Sequence, residues 1–141
     1  MLSYDPYSTD DKNIVELTSL QDLLVRSDII CITCPLNSET YGMIGSKEFA
    51  SIKEGACLIN VSRGQIVDET ALIKALRIGS LGYAALDVME KEPPDEKNEL
   101  LKMDNVIITP HVAWYSEQAK EELIKGVFRE IRSIIRSWKG I

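Results

Sequence analysis

The sequence predicts an α/β fold built on a doubly wound, mostly parallel sheet. Short apolar runs alternate with segments of helical spacing, and this alternation is typical of βαβ units. The runs at 28–33 and 56–61 are largely apolar or β-branched, as expected for strands buried on both faces of such a sheet. A long amphipathic pattern at 116–138 predicts a helix. Together these observations indicate a Rossmann-like domain.

Six short runs have the composition and the boundaries of strands. Each is rich in apolar or β-branched residues and is bounded by turn signals or by the start of a helical pattern. The first run, for example, ends in the turn signal Asp5-Pro6-Tyr7. We predict strands at 2–4, 14–17 (Ile14 to Leu17), 28–33, 56–61, 83–88 and 106–109.

Helix-capping residues mark the segments between these strands. Thr18 and Gln21 have the spacing of a capping box, with Thr18 as the predicted N-cap. Asp68 is the predicted N-cap of a later helix, and Gly79 has the position of its C′ residue. We predict helices after Thr18, from Ser46 through Ile52, from Asp68 to Gly79, and over 116–138.

Composition and charge limit the class of protein. The 141 residues are 45% hydrophobic and 27% charged, as in one globular domain. Sixteen Lys and Arg against 22 Asp and Glu give a net charge of −6, which argues against direct binding to nucleic acid. No apolar run reaches the length of about 18 residues that a membrane span needs, so no membrane partner is predicted. The three cysteines, an odd and low number, fit a reducing, cytoplasmic location.

In open parallel sheets, ligands bind outside the carboxyl ends of the strands, and this rule selects the residues that follow each strand. Asp5 ends the first strand, and such an acid commonly accepts hydrogen bonds from the adenosine ribose in dinucleotide-binding folds. The negative charge of Asp5 would repel the 2′-phosphate of NADP, so it favours NAD. The alternative is that Asp5 only forms the turn before Pro6. The other selected segments are Thr33–Pro35, Val61–Gly64, Asp87–Glu92 and Thr109–Trp114.

Three of the selected residues can act together on a 2-oxo acid. The planar guanidinium of Arg63 suits a substrate carboxylate, and His111 is the only histidine. A carboxylate such as Glu92, bound to one imidazole nitrogen, would fix the tautomer of His111. The other nitrogen would then donate a proton to a carbonyl oxygen as hydride arrives. Taken separately, the alternative roles are a surface ion pair for Arg63, a solvated acid for Glu92 and a structural histidine for His111.

Cys31 and Cys34 have C-x-x-C spacing, but they lie along a predicted strand rather than at a helix start. No second pair completes a zinc site, so we predict buried strand cysteines and no metal. Trp114 and Tyr115 either line a pocket or pack at the start of the last helix.

Five short stretches, in order and at fitting spacing, resemble the NAD-dependent D-isomer-specific 2-hydroxyacid dehydrogenases. They are YDPY at 4–7, NVSRGQIVD at 60–68, GYAALDV at 82–88, EPP at 92–94 and TPHV at 109–112. Within that superfamily, SLQDLL at 19–24 and AWYSEQA at 113–119 are most similar to the C-terminal-binding-protein clade. That clade includes transcriptional corepressors that retain the dehydrogenase fold.

The resemblance implies NAD as the cofactor and a role for each matching residue. Arg63 matches the substrate-orienting arginine, Glu92 matches the acid that partners the histidine, and His111 matches the general acid/base. Asp5 matches the ribose ligand. The residues expected along the cofactor are Asp5, Thr33, Cys34, Pro35, Val61, Ser62, Arg63, Asp87, His111 and Trp114.

The family's glycine-rich fingerprint, GxGxxG, has no counterpart in the sequence. In the family this turn precedes the strand equivalent to residues 1–4. We therefore expect a partial NAD-binding domain over 1–141, incomplete at its N-terminal βα unit and without the substrate-binding domain. The pyrophosphate would lose its helix N-terminus, which predicts weak or no NAD binding by this chain alone.

The missing unit also bears on strand pairing. In the order 3-2-1-4-5-6, the strands at 1–4 and 28–33 would lack a shared neighbour and expose unpaired backbone groups. The first strand would either re-pair with the 28–33 strand or be displaced, and the exposed edge would drive self-association.

Two interpretations of function follow. The leading one is the cofactor-domain portion of an NAD-dependent oxidoreductase that moves hydride between NAD(H) and a small D-2-hydroxy or 2-oxo acid. In this interpretation the isolated chain is inactive and the complete protein is a cytoplasmic homodimer. The alternative is a non-enzymatic, NAD-sensing, corepressor-like interaction module, which rests on the AWYSEQA match.

Overall fold

The computed structural model describes residues 1–8 and 15–138. Met1–Pro110 and His111–Ile141 form two compact units. The first unit contains β1 (Leu2–Ser3), β2 (Glu16–Leu17), α1 (Leu20–Arg26), β3 (Ile29–Ile32), α2 (Ser46–Ser51), β4 (Ala56–Asn60), α3 (Glu69–Ile78), β5 (Leu81–Leu86) and β6 (Val106–Ile108). It also has single 3-10 turns at Gly64–Ile66 and Glu99–Lys102, and the second unit contains α4 (Glu117–Trp138).

Every strand pair among the described residues is parallel, which confirms the predicted α/β fold of Rossmann type. β3, β4, β5 and β6 form one sheet in that order, with Leu58 of β4 opposite Ile30 on one side and Ala84 on the other. β1 pairs with β2 in a separate two-stranded sheet. In the part of the chain described, β1 therefore does not re-pair with β3. Ile14, the first residue of the predicted second strand, lies outside the described residues.

The core lies on one face of the four-stranded sheet. Ile30 and Leu58 belong to one buried cluster with Leu24 of α1, Phe49 of α2 and Leu72 of α3. Because side chains alternate along a strand, every second residue of β3 and β4 points into this cluster. Burial of these apolar side chains holds the helices on the sheet, at roughly 1.5–3 kcal/mol for each fully buried large side chain.

The opposite face of the sheet is open within the first unit, so the expectation that 28–33 is buried on both faces is wrong. Ile29 is 66% exposed and Cys31 is also exposed, whereas Ile30 and Ile32 are each 5% exposed. Tyr83 and Ile107 share the exposed face, at 63% and 68%. The physical reason is that α1, α2 and α3 contribute their buried side chains to the cluster on the other face. The predicted burial of Cys31 is wrong for the same reason.

The first helix begins with Ser19 as its N-cap rather than Thr18. Ser19 has extended backbone angles, and its Oγ accepts the N–H of Asp22 at 3.1 Å. Thr18 is one residue too early for this contact, and its hydroxyl lies 3.5 Å from the Asp22 carboxylate instead. The sequence pattern located the start of the helix correctly to within one residue, which is the usual uncertainty of such boundaries.

The caps of α3 are as predicted, whereas the cap of α2 lies one residue before Ser46. Asp68 Oδ1 accepts the N–H of Ala71 at 2.9 Å, and Gly79 ends α3 in the left-handed conformation with φ of 79°, as predicted. Ser46 lies inside α2, because Gly45 takes the N-cap position. The N–H of Gly45 donates to the side chain of Glu48 at 3.1 Å.

The second unit consists of α4 and the segment before it. The amphipathic pattern at 116–138 corresponds to the single helix Glu117–Trp138, in which the sequence spacing puts Leu123, Val127, Ile131 and Ile135 near one stripe. Lysine and glutamate pairs at helical spacing, such as Lys120 and Glu117 at 2.8 Å, lie along the helix surface. None of the helices in residues 1–8 and 15–138 is long and apolar enough to cross a membrane.

Candidate functional site

A cavity of about 590 Å³ lies where β1 and β3 end. The segments that follow these strands both line it, and they bring Asp5 together with Thr33, Cys34 and Pro35. Its volume is in the range of small-molecule and cofactor sites, roughly 300–1,000 Å³. Four of the residues selected from the sequence therefore share one cavity.

The turn after β1 fixes the Asp5 carboxylate. Asp5 Oδ1 accepts the backbone N–H of Tyr7 at 2.9 Å, a local turn that Asp before Pro favours. The hydroxyl of Tyr7 donates to Glu39 Oε2, in the loop after β3. This hydrogen bond and the negative charge of Glu39 raise the pKa of Tyr7, because both oppose formation of a phenolate. The two loops are thus joined at the cavity by a neutral phenol and a carboxylate.

Tyr7, Glu39 and Thr40 line this cavity although sequence reasoning did not select them. Asn37 Oδ1 accepts the N–H groups of Glu39 and Thr40 at 2.8 and 3.0 Å, and Thr40 Oγ1 donates to the carbonyl of Pro35 at 2.7 Å. The spacing Asn-x-x-Thr directly after a strand end is a signal for this self-capped loop. That signal could have identified the loop from the sequence.

The cavity is acidic. Asp5 and Glu39 both line it, and no lysine or arginine occurs among its described lining residues. Carboxylates accept hydrogen bonds from ribose hydroxyls and repel a 2′-phosphate. The donor and acceptor chemistry of the lining therefore fits the adenosine half of NAD, and it fits that of NADP poorly.

A row of hydrogen bonds joins the carboxyl ends of β3, β4, β5 and β6. Ser62 Oγ donates to the carbonyl of Cys34, which ties the loop after β4 to the loop after β3. The N–H of Asp87 donates to the Asn60 carbonyl at 2.9 Å, and Thr109 Oγ1 donates to Asp87 Oδ1 at 2.5 Å. Asp87 is 5% exposed, and a carboxylate so buried needs such donors. The row places Cys34, Ser62 and Asp87 along one edge, and their contact with a cofactor stays a prediction.

The turn that carries Arg63 is built on Asn60. The Asn60 side chain is 1% exposed, donates to the Arg63 carbonyl at 3.0 Å and accepts the Ser62 N–H at 3.0 Å. Arg63 itself is exposed, as is Val61, and its Nη1 donates to the Ser62 carbonyl at 2.7 Å. A guanidinium carries five N–H donors, so this one bond leaves donors for a ligand carboxylate.

Gly64 brings the Arg63 turn against the loop that contains Glu92. A Cβ atom at Gly64 would lie 2.0 Å from the carbonyl carbon of Met89, so this approach requires glycine. Glu92 is exposed, and its Oε1 accepts the N–H of Met89 at 3.0 Å. The structure therefore packs the Arg63 turn on the Glu92 loop within the first unit.

The cysteines of the C-x-x-C spacing are free thiols. Cys34 is partly buried, and burial raises the pKa of its thiol. A redox cysteine requires a lowered pKa, so this shift favours a structural role for Cys34. Among the described residues no group of three or more potential ligands could hold a metal ion.

His111 and Trp114 belong to the second unit. His111 follows Pro110 and has a positive φ of 55°, the only non-glycine residue with this property in the described ranges. The Trp114 and Tyr115 rings pack edge to face with centroids 5.3 Å apart. Lys120 Nζ lies 4.9 Å from the centroid of the Tyr115 ring.

The parallel sheet and the acidic cavity at its carboxyl edge define a dinucleotide-binding domain. Residues 1–113 match the family model of the D-isomer specific 2-hydroxyacid dehydrogenase, NAD binding domain. The chain belongs to this family, and NAD is the cofactor of its domain.

Named relatives agree with the family assignment. The chain is 43% identical over 123 residues to the D-3-phosphoglycerate dehydrogenase of Archaeoglobus fulgidus, covering 85% of this chain and 23% of that protein. It is 37% identical over 137 residues to the glycerate dehydrogenase of Methylorubrum extorquens, covering 96% of this chain and 42% of that protein. The structure of the D-lactate dehydrogenase of Aquifex aeolicus with NAD and lactic acid superimposes with a TM-score of 0.85 and 31% identity. That match covers 96% of this chain and 46% of the other, so the chain spans less than half the length of these relatives.

Proposed function

We propose that the chain is the cofactor-binding part of an NAD-dependent D-2-hydroxyacid dehydrogenase. The observation that carries this proposal is the hydrogen-bonded row of strand ends, in which Cys34, Ser62 and Asp87 share one edge of a parallel sheet. The acidic cavity beside this row suits the adenosine half of the cofactor. When bound, the nicotinamide half supplies or accepts hydride at C2 of a small 2-oxo or D-2-hydroxy acid.

Three residues carry the proposed chemistry of the substrate. Arg63 binds the substrate carboxylate through its planar guanidinium. His111 donates a proton to the substrate oxygen during reduction and removes it during oxidation. Glu92 is the proposed partner of His111, in agreement with the family motif that EPP at 92–94 resembles. These roles are supported by the family membership and by the position of each residue after a strand.

A chimera tests the proposed activity. Residues 1–141 replace the matching segment of the M. extorquens glycerate dehydrogenase, with which they share 37% identity. The chimera is assayed by NADH absorbance with glyoxylate, hydroxypyruvate and pyruvate. We expect turnover that His111→Ala lowers by roughly 10²–10⁴-fold, the usual contribution of a general acid. Turnover that survives His111→Ala would contradict the mechanism, and Lys120→Ala on α4 is the matched control.

We also propose that the 141-residue chain alone binds NAD weakly and is inactive. The support is the sequence, which has no glycine-rich turn to place backbone N–H groups and a helix N-terminus at the pyrophosphate. Isothermal titration calorimetry with NAD measures this directly. Micromolar affinity would contradict the proposal, whereas binding only at millimolar NAD would support it.

The finer assignments remain predictions. The relatives named above are dehydrogenases, and the similarity of residues 113–119 to the C-terminal-binding-protein clade rests on the sequence alone. The homodimer, the cytoplasmic location and the absence of direct nucleic-acid or membrane partners are likewise predictions from composition and resemblance. The NAD-sensing corepressor module stays the alternative, and turnover by the chimera would count against it.

A further inference from the structure

Two carboxylates of the acidic cavity are held at the two ends of one tyrosine residue. The backbone N–H of Tyr7 donates to Asp5 Oδ1 at 2.9 Å, and the phenol of the same residue donates to Glu39 Oε2. Asp5 follows β1 and Glu39 follows β3, and all three residues line the cavity. Tyr7 therefore sets the separation of the two carboxylates.

The loop that carries Glu39 is tied by its own hydrogen bonds. Asn37 Oδ1 accepts the N–H groups of Glu39 and Thr40 at 2.8 and 3.0 Å, and the Thr40 hydroxyl donates to the Pro35 carbonyl at 2.7 Å. The loop fixes the backbone of Glu39, and Tyr7 fixes its carboxylate. The carboxylate thus has a defined position before a ligand binds, which lowers the entropic cost of binding.

Each of the two carboxylates keeps one oxygen for a ligand. Among the described residues, Asp5 Oδ2 and Glu39 Oε1 accept no hydrogen bond, and no lysine or arginine of the described lining neutralises them. A ligand that removes water from a carboxylate must replace it with hydrogen-bond donors, because a desolvated charge without a partner is costly. The cavity therefore favours a ligand that carries donors at two separated points.

Adenosine has this arrangement of donors, with the ribose hydroxyls at one end and the 6-amino group of the base at the other. We propose that Glu39 is a specificity-determining residue for the cofactor, which accepts a hydrogen bond from the 6-amino group of adenine while Asp5 binds the ribose. Tyr7 is the positioning residue that holds Glu39 for this contact. The inference rests on the proposed function, because it assigns the base end of the same cofactor site.

The same geometry disfavours bases that carry an oxygen at position 6. Guanine and hypoxanthine present a carbonyl there, which is an acceptor rather than a donor. Two acceptors repel each other across such a contact, and the Glu39 carboxylate would lose water without gaining a partner. The carboxylate therefore selects adenine by rejecting these bases as well as by binding the amino group.

The test uses the full chain and three nucleosides, which carry no phosphate and so do not depend on a pyrophosphate site. They are adenosine, inosine with a carbonyl at position 6, and purine riboside with hydrogen there. Ligand-detected nuclear magnetic resonance measures each dissociation constant. We expect adenosine to bind about threefold to tenfold more tightly than purine riboside, the effect of one hydrogen bond, and inosine to bind more weakly still.

Two variants identify the residues responsible. Glu39→Gln should remove the preference for adenosine over inosine, because an amide both donates and accepts. Tyr7→Phe should reduce the preference partway, since the carboxylate stays but loses its tether. Glu54→Gln in the exposed turn before β4 and Tyr41→Phe at another exposed tyrosine are the matched controls and should keep the original ratio. A merely structural effect would weaken all three nucleosides alike and leave the ratio unchanged.

Three results would overturn the inference. If the original chain binds adenosine and inosine equally well, or if Glu39→Gln keeps the original ratio, Glu39 does not read the base, and the cofactor site itself stands. If none of the three nucleosides binds, the acidic cavity is not an adenosine site, and the proposed function loses this support together with the inference.

Discussion

The close approach at Gly64 makes a sharp test of how the site is built. In Gly64→Ala the new Cβ would meet three backbone atoms: the carbonyl carbon and oxygen of Met89 at 2.0 Å and the N of Glu90 at 2.3 Å. Backbone atoms cannot rotate away, so the Arg63 turn or the Glu92 loop must move. Overpacking costs about 1–3 kcal/mol, and a clash with backbone belongs at the upper end. Alanine lowers the conformational entropy of the unfolded chain, which offsets about 0.4–1 kcal/mol, so the net loss in free energy of unfolding is about 2 kcal/mol.

Gly45→Ala is the matched control for this substitution. Its new Cβ would meet Glu48 Oε2 at 3.6 Å and the Gly42 carbonyl at 3.7 Å, both ordinary contact distances. We expect a change below about 1 kcal/mol, because only the N-cap preference is affected. Urea unfolding gives both free energies of unfolding, and thermal unfolding should show a lower Tm only for Gly64→Ala. A Gly64→Ala chain within about 0.5 kcal/mol of the original would refute the steric argument.

Three further predictions concern charge and protonation. Asp5→Asn should weaken the preference of the chain for 5′-AMP over 2′,5′-ADP, because the carboxylate that repels the second phosphate is lost. Nuclear magnetic resonance titration, with Ser3→Ala as the control, measures the ratio of the two affinities. An unchanged ratio would contradict this prediction. Iodoacetamide should modify exposed Cys31 faster than Cys34 near neutral pH, since burial raises the pKa of the Cys34 thiol and lowers its thiolate fraction. Mass spectrometry measures both rates of modification, and equal rates would contradict this prediction. The hydrogen bond from Arg26 lowers the pKa of Glu16, so Glu16→Gln should destabilise the chain at pH values above 4.5, the ordinary pKa of glutamate. Urea unfolding should show this loss of stability fading as the pH falls through the lowered pKa. A loss that stays undiminished in acid would point to another cause.

The strand positions could be read from the sequence because local patterns determine them. β3 to β6 all lie within predicted runs or within two residues of them, and Asp68 and Gly79 bound α3 as expected. Burial could not be read in the same way. An apolar run such as 28–33 is equally compatible with one covered face or two, because the composition of a strand does not say which helices reach it. The exposure of Ile29 is therefore a property of tertiary packing, not of the run itself.

The site was predictable where one rule places residues together. The carboxyl ends of parallel strands share an edge, so the positions of Asp5, Cys34, Ser62 and Asp87 after strand ends could be predicted from the sequence. The bond from Tyr7 to Glu39 was not predictable, because it joins residues 32 positions apart through two irregular loops. Side-chain contacts between loops depend on loop conformation, which periodicity does not encode.

The backbone at His111 supplies an argument for function that neither composition nor resemblance contains. A non-glycine residue with φ of 55° is in the left-handed region, which costs roughly 1–2 kcal/mol relative to the right-handed one. His111 is exposed, so it is not the buried structural histidine that the sequence left open. Strain of this kind persists where the surrounding structure imposes it, and such residues cluster at active sites. The only histidine in the sequence is thus also the only non-glycine residue with positive φ in the described residues, which supports the proposed role of His111 in proton transfer.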